Sequence, residues 1–299
     1  IIEVSLPMTL AQLLNLLYNI VDRMYIGRIP GAGATALTGV GICFPVITMI
    51  AAFTYLFGNG GSPLCAMELG RGNHEEAEKL MGNTFSMLLI SSVILMAVSY
   101  LFYKPILYAF GASDVTFPYA GDYIKIYLIG TPFVMISLGL NPFINCQGFG
   151  KMGMMTVLIG AILNIILDPL FIFGFGLGTN GAAYATWIAE ASVFLIFVYQ
   201  LRCRDALLGG FPFFTRLKKK YTRRILKLGL PVATLNTLFA FVNMFLCRTA
   251  SEQGGHIGLM TFTTGGQIEA ITWNTSQGFS TALSAFIAQN YAAGRVERV

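Results

Sequence analysis

Apolar residues fall in eight long runs, near residues 2–26, 37–66, 80–103, 118–145, 153–174, 181–201, 224–249 and 259–291, parted by short polar stretches. A bilayer core about 30 Å thick needs roughly 20 residues of helix. The pattern therefore predicts eight membrane-crossing helices. Several runs exceed the minimum and must tilt, bend or protrude. Pro7, Pro45, Pro63, Pro132, Pro142, Pro169 and Pro231 interrupt them. Such breaks are tolerated where neighbouring helices satisfy the freed backbone groups, and they serve either packing geometry or hinging.

Composition strengthens this picture. Of 299 residues, 55% are hydrophobic and 11% charged, and the mean hydropathy is +0.68. Soluble domains carry about 25% charged residues. The balance excludes an ordinary soluble enzyme, a disordered chain and a nucleic-acid module. Cys43, Cys65, Cys146, Cys203 and Cys247 are odd in number and without a spacing pattern. They read as small apolar residues, with no disulfide framework or zinc site.

The net charge of +5 is concentrated. One set of alternate loops holds Arg71, Lys79, Lys151, nine basic residues in 202–227, and Arg295 and Arg298, fourteen of the nineteen in the chain. The opposite loops hold Arg28, Lys104 and Arg248. The positive-inside rule places the first set, and with it the N-terminus, in the cytoplasm. Segment 202–223 reads as a basic cytoplasmic linker between an N-terminal lobe of six helices, 1–201, and the first two helices of a second lobe, 224–299.

A faint internal repeat agrees. Leu6-Pro7 and Leu230-Pro231, and Asn19 and Asn243, share an offset of 224. In the next helix Phe57 pairs with Phe279, Ala66 with Ala288 and Gly72 with Gly294 at an offset of 222. Six helices separate the copies, so both face the same way, as in transporters built of parallel repeats. The expected fold class is an all-α polytopic membrane protein of two six-helix lobes, the second present here only in part.

Acids within membrane helices are costly, and each is a functional hypothesis by default. Gln12, Asn15, Asn19 and Asp22 follow at steps of three, four and three on one face of the first helix. A polar stripe ending in a carboxylate fits an ion or substrate path, against the alternative of interhelical hydrogen bonds. In the fifth helix Asn164 and Asp168 share a face, and Pro169 frees a backbone carbonyl. Hard cations prefer such oxygens. With Thr186 on the sixth helix, Asp22, Asn164 and Asp168 form a candidate cation pocket, for Na⁺ or for a proton. Glu190, four residues after Thr186, faces the same cavity. Asn141 and Asn145 are further cavity candidates. Glu269, Asn274 and Gln277 on the eighth helix are candidates for contact with a cationic substrate. Asp122 and Lys125 pair with each other, and Glu68 is expected to be solvated.

Two motif matches carry no function. Gly176-Leu177-Gly178-Thr179-Asn180-Gly181 fits G-x-G-x-x-G but lacks a soluble βαβ unit and a following acid. Asn274-Thr275-Ser276 fits a glycosylation sequon inside a membrane helix. No nucleophile, base or metal cluster of an enzyme is visible, and no catalytic residue is assigned.

The segment SLPMTLAQLLNLLYNIVDRMYIGR (5–28), the stretch from Asn145 to Ala185 with NCQGFGKMGMM and ILNIILDPLFIFGFGLGTNGAAYAT, and IAQNYAAGR (287–295) resemble the multidrug and toxic compound extrusion (MATE) family. That family lies within a wider group of polysaccharide and lipid flippases. The resemblance implies that Asp22, Asn164, Asp168 and Thr186 bind the coupling Na⁺ or H⁺ in the N-terminal lobe. The seventh helix, Leu226 to Cys247, has no acid, which argues against a second-lobe cation site. The Met-rich character and Glu269 resemble the bacterial drug-exporting branch.

The expected function is ion-coupled export of organic, cationic and amphipathic compounds across a bacterial inner membrane by alternating access, with Pro7 as hinge. The expected partners are small organic cations and membrane lipids, with no nucleic acid, no cofactor beyond Na⁺ or H⁺, and a monomeric state. A lipid-linked sugar flippase shares the fold but needs a cationic cavity, for which only Arg23, Lys125 and Arg248 are candidates. A membrane-embedded enzyme or a channel is the alternative of a different class.

Overall fold

The computed structural model describes the backbone of residues 2–203, 208, 210 and 216–299; the side chains described exclude 2–4, 201–203, 240, 244, 247, 248, 251, 255–260, 263, 264 and 267. Several earlier expectations, on Arg202, Arg204, Cys203, Cys247 and Arg248, thus lie outside the described residues or side chains.

The eight apolar runs fall in seven helices, the last holding two of them: α1 (Ile2–Gly27), α2 (Gly33–Gly70), α3 (His74–Ala109), α4 (Phe117–Cys146), α5 (Gly150–Pro169), α6 (Thr179–Cys203) and α7 (Lys219–Ala292). A π-helical turn, Leu170–Gly174, extends α5. No strand occurs among the described residues. Among the described residues, six helices are long and apolar enough to span a membrane by length and composition.

The faces are sorted as a bilayer demands. On α5, Ile162, Ile166 and Leu170 point outward, while Asn164 and Asp168 are buried. On α3, Ile90, Val93, Ile94, Val98 and Leu101 form the exposed stripe, with Ser92 and Ser99 inside. Polar groups inside and hydrocarbon outside is the arrangement that satisfies both lipid and backbone. The protein is a multi-pass membrane protein.

Within the bundle α1 lies along α5, α4 contacts α2, α3, α5 and α6, and α7 packs on α1 and α2. Although α7 is helical throughout its 74 residues, it is not straight. Phe239 and Trp273 stack with ring centroids 5.1 Å apart, whereas 34 residues of straight helix would separate them by about 51 Å. Gly229 abuts Leu56 and Gly60 of α2, and Gln289 abuts Gly70, only a few turns further along. The element folds back as two limbs, matching the runs 224–249 and 259–291. The first limb crosses α2 closely because Gly60 faces Gly229; a Cβ on Gly60 would enter the backbone of Ile225 and Gly229, and one on Gly229 the backbone of Leu56.

The repeat is visible in the helix ends. Gly72 (φ 73°) follows α2 and Gly294 (φ 72°) follows α7. Asn73 N–H donates to Glu68 O at 2.9 Å, and Arg295 N–H to Asn290 O at 2.9 Å. Both are the long bond of a glycine-terminated helix cap, at the predicted offset of 222.

Beside the first of these caps, Glu68 departs from expectation. It is buried at 5% exposure and accepts from Arg71 at 3.1 Å and from Arg224 of α7 at 3.2 Å. The helix end is covered by the start of α7, so the carboxylate meets guanidinium groups in place of water. Nearby, Tyr221 OH donates to Glu76 at 2.9 Å and the Lys218 N–H to Asn83 Oδ1 at 3.0 Å. Asp122 and Lys125 do pair, at 3.4 Å and largely exposed. The glycine-rich 176–181 segment is a turn with Gly176 and Gly178 at positive φ, and 274–276 lies within α7.

Candidate functional site

The polar stripe of α1 meets α5 in parallel register. Tyr25 packs edge-on against Phe173 at 6.3 Å, and one turn back the carboxyl of Asp22 faces that of Asp168 closely enough to interact directly. Asp168 is fully buried and Asn164 is 2% exposed. Asp22 Oδ1, both carboxyl oxygens of Asp168 and Asn164 Oδ1 are buried with no hydrogen-bond donor. Buried polar groups are normally paired. Four orphaned oxygens on two facing helices form a site shaped for a positive guest. Two like charges this close in a medium of low dielectric repel strongly, and one unit of positive charge between them removes the repulsion.

Arg23 makes no hydrogen bond to these orphaned oxygens. It is exposed and lies over the Phe44 ring at 5.7 Å, because adjacent residues on a helix point apart. Asn164 donates to Thr186 Oγ1 at 3.3 Å, and Thr186 donates to Ala182 O at 3.0 Å. These bonds orient the Asn164 amide so that its oxygen is left free. Pro169 and the π-helical turn after it loosen the backbone beside Asp168, a common feature of functional sites. The oxygen donor set fits an alkali cation or a shared proton.

On the other side of Asn164 a narrow cavity of about 30 Å³ is lined by Asn15, Tyr18, Ser137, Asn141, Thr186 and Glu190. That is roughly the room of one or two waters. Ser137 donates to Glu190 Oε2 at 2.6 Å. Asn141 donates to Gly153 O and Thr156 Oγ1, both at 3.2 Å, and accepts from Asn145 at 3.1 Å.

Of the predicted residues, the structure brings together Asp22, Asn164, Asp168 and Thr186, with Asn15, Asn141 and Glu190 beside them. Asn145 stands behind Asn141 and braces α4 against α5. Asn19 is exposed and donates to Asn15 O at 2.8 Å, and Gln12 does not line the cavity. Glu269, Asn274 and Gln277 lie on the returning limb of α7, away from this cavity; Glu269 is exposed and Asn274 donates to Ala270 O. α1 runs unbroken through Pro7. Two lining residues were missed. Tyr18 shares the face of Asn15 and Asp22, so its spacing was a readable signal. Ser137 carries no signal beyond being polar in an apolar run.

A second, larger cleft of about 820 Å³ lies between the start of α1 and the end of α7. It is lined by hydroxyls, including Ser5, Thr9, Ser280 and Ser284, and by apolar groups such as Phe279 and Leu283, with no charged residue among the described residues.

A helical bundle with outward hydrocarbon and an inward oxygen-lined pocket is the build of a membrane transporter. The MatE family model matches residues 7–170, more than half of the chain, and the chain belongs to that family. A FAD transporter of Shewanella oneidensis is 25% identical over 302 residues, covering all of this chain and 66% of the relative. The multidrug export protein MepA of Staphylococcus haemolyticus is 28% identical over 246 residues, 81% of this chain and 54% of the relative. An outward-facing multidrug resistance MATE family transporter of the MOP superfamily superposes with a TM-score of 0.91 at 26% identity, over 99% of this chain and 65% of that one. The chain thus spans between about half and two thirds of the length of these relatives.

Proposed function

We propose that this protein is a cation-coupled antiporter that exports organic, cationic or amphipathic compounds by alternating access, working as a monomer of two lobes in a bacterial inner membrane with its N-terminus cytoplasmic. The observation that carries the reading is the facing pair Asp22 and Asp168 with four unsatisfied buried oxygens. The coupling ion, Na⁺ or H⁺, is cargo here. It neutralises the pair, and it shifts the balance of outward- and inward-open states only through its different affinity for the two. The apolar, hydroxyl-lined cleft beside α1 suits an amphipathic compound, and movement of α1 about Pro7 would link the two places. The curated relatives that export drugs support the cargo class.

The relative that carries FAD favours a second reading, an anionic dinucleotide as cargo. Such a ligand calls for basic side chains, and among the described residues the cleft has none. The test is dye efflux from proteoliposomes under imposed Na⁺ or H⁺ gradients. Asp22→Asn and Asp168→Asn are expected to abolish ion-dependent efflux while the protein still inserts. Normal efflux in both variants overturns the coupling mechanism.

A further inference from the structure

The paired acids account for one side of Asn164. They leave Glu190 unexplained, an acid in mid-helix with no cation among the described residues that line its cavity. The lining of its cavity contains no lysine or arginine, and an unpaired carboxylate at membrane depth needs a functional reason. Register places it apart from the aspartates. Asn164 touches Thr186; Asp168 lies one turn to one side of that contact on α5, and Glu190 one turn to the other side on α6. Four residues are about 6 Å of helix, so the two acidic levels stand about 12 Å apart along the bundle.

We propose that Glu190 anchors a second site for a small monovalent cation, distinct from the Asp22–Asp168 pair. The lining supplies the ligand oxygens. Ser137 has a single hydroxyl proton and more than one acceptor in reach: Glu190 Oε2 at 2.6 Å, and Phe133 O at 2.8 Å on its own helix. When a cation sits on the carboxylate, the hydroxyl turns its proton to Phe133 O and presents its oxygen to the ion. Asn141 is held by its own amide donors, and its carbonyl oxygen keeps one lone pair beyond the bond from Asn145. Asn164 Oδ1, 98% of its residue buried and without a donor, lies on the wall shared with the first site. The free volume, about 30 Å³, admits a dehydrated Na⁺ with one water and excludes an organic ammonium drug. The site extends the transport reading by adding a second unit of charge per cycle, and its test separates the two.

The experiment counts ²²Na⁺ bound at saturation by the purified full chain in detergent, using Na⁺ alone as probe. Glu190→Gln is expected to bind one Na⁺ fewer than wild type and to keep the rest. The double variant Asp22→Asn/Asp168→Asn is expected to keep one Na⁺, and all three substitutions together none. Glu190→Asp, which keeps the charge, is expected to restore the wild-type count and guards against loss through misfolding. An unchanged count in Glu190→Gln overturns this site; an unchanged count in the double aspartate variant leaves this site standing and overturns Na⁺ as the ion of the aspartate pair. Loss of all binding in Glu190→Gln while Glu190→Asp binds normally overturns two separate sites, as does a wild type that binds no Na⁺.

Discussion

At the scale of single residues, the chain separates acids by what they meet. Glu68 is buried against Arg71 and Arg224, whose side chains are 53% and 34% exposed. Removing the carboxylate leaves two guanidinium groups that can reach water, whereas removing both arginines strands a buried charge. Glu68→Gln is therefore expected to cost about 1 kcal/mol of stability, and Arg71→Met with Arg224→Met about 3 kcal/mol, read by thermal unfolding in detergent. Equal losses would show that burial does not set the penalty. At the coupling site, Asn164→Ala removes the amide that ties α5 to Thr186 and one of the four orphaned oxygens. Loss of a charge-assisted contact is worth about 1.5 kcal/mol or more, so the concentration of coupling ion for half-maximal efflux is expected to rise roughly tenfold or more. An unchanged ion requirement would remove Asn164 from the site.

At the scale of elements, close approach decides the fold. The crossing of α2 and α7 exists because Gly60 and Gly229 let two backbones meet, the small-residue contact that replaces hydrophobic driving force in lipid. Gly229→Val is expected to destabilise the protein by about 1 to 3 kcal/mol through overpacking, seen as a lowered melting temperature, while Gly254→Ala, with open space around it, is not. The doubling back of α7 has its own check. Cysteines at Phe239 and Trp273, in a background free of the native ones, are expected to be joined within one chain by a short bifunctional maleimide. Failure to link them would mean that the limbs do not lie side by side.

At the scale of the whole molecule, the arrangement is inverted relative to a soluble protein, with oxygens inside and hydrocarbon outside. Cysteines at Ile162 and Ile166 are expected to react with lipid-soluble labels and not with aqueous ones, and a cysteine at Lys219 with an impermeant label only from the cytoplasmic face. Labelling at position 219 from outside intact cells would reverse the proposed orientation.

Much of this could be read along the chain, because helix periodicity is local. The eight runs, the shared face of Asn15 and Asp22, and the shared face of Asn164 and Asp168 follow from spacing within one segment, and the repeat that ends at Gly72 and Gly294 from laying two segments side by side. The burial of Glu68 could not be read, since its partner Arg224 is 156 residues away. Nor could the role of Ser137, identical in kind to many polar residues in apolar runs until packing turned it into a cavity. By itself the sequence determined which segments are helices and which face of each is polar. Only the tertiary structure decided which polar faces meet, because that depends on the crossing of helices far apart in the chain, and there it set two carboxylates against each other and left Glu190 alone about two turns away.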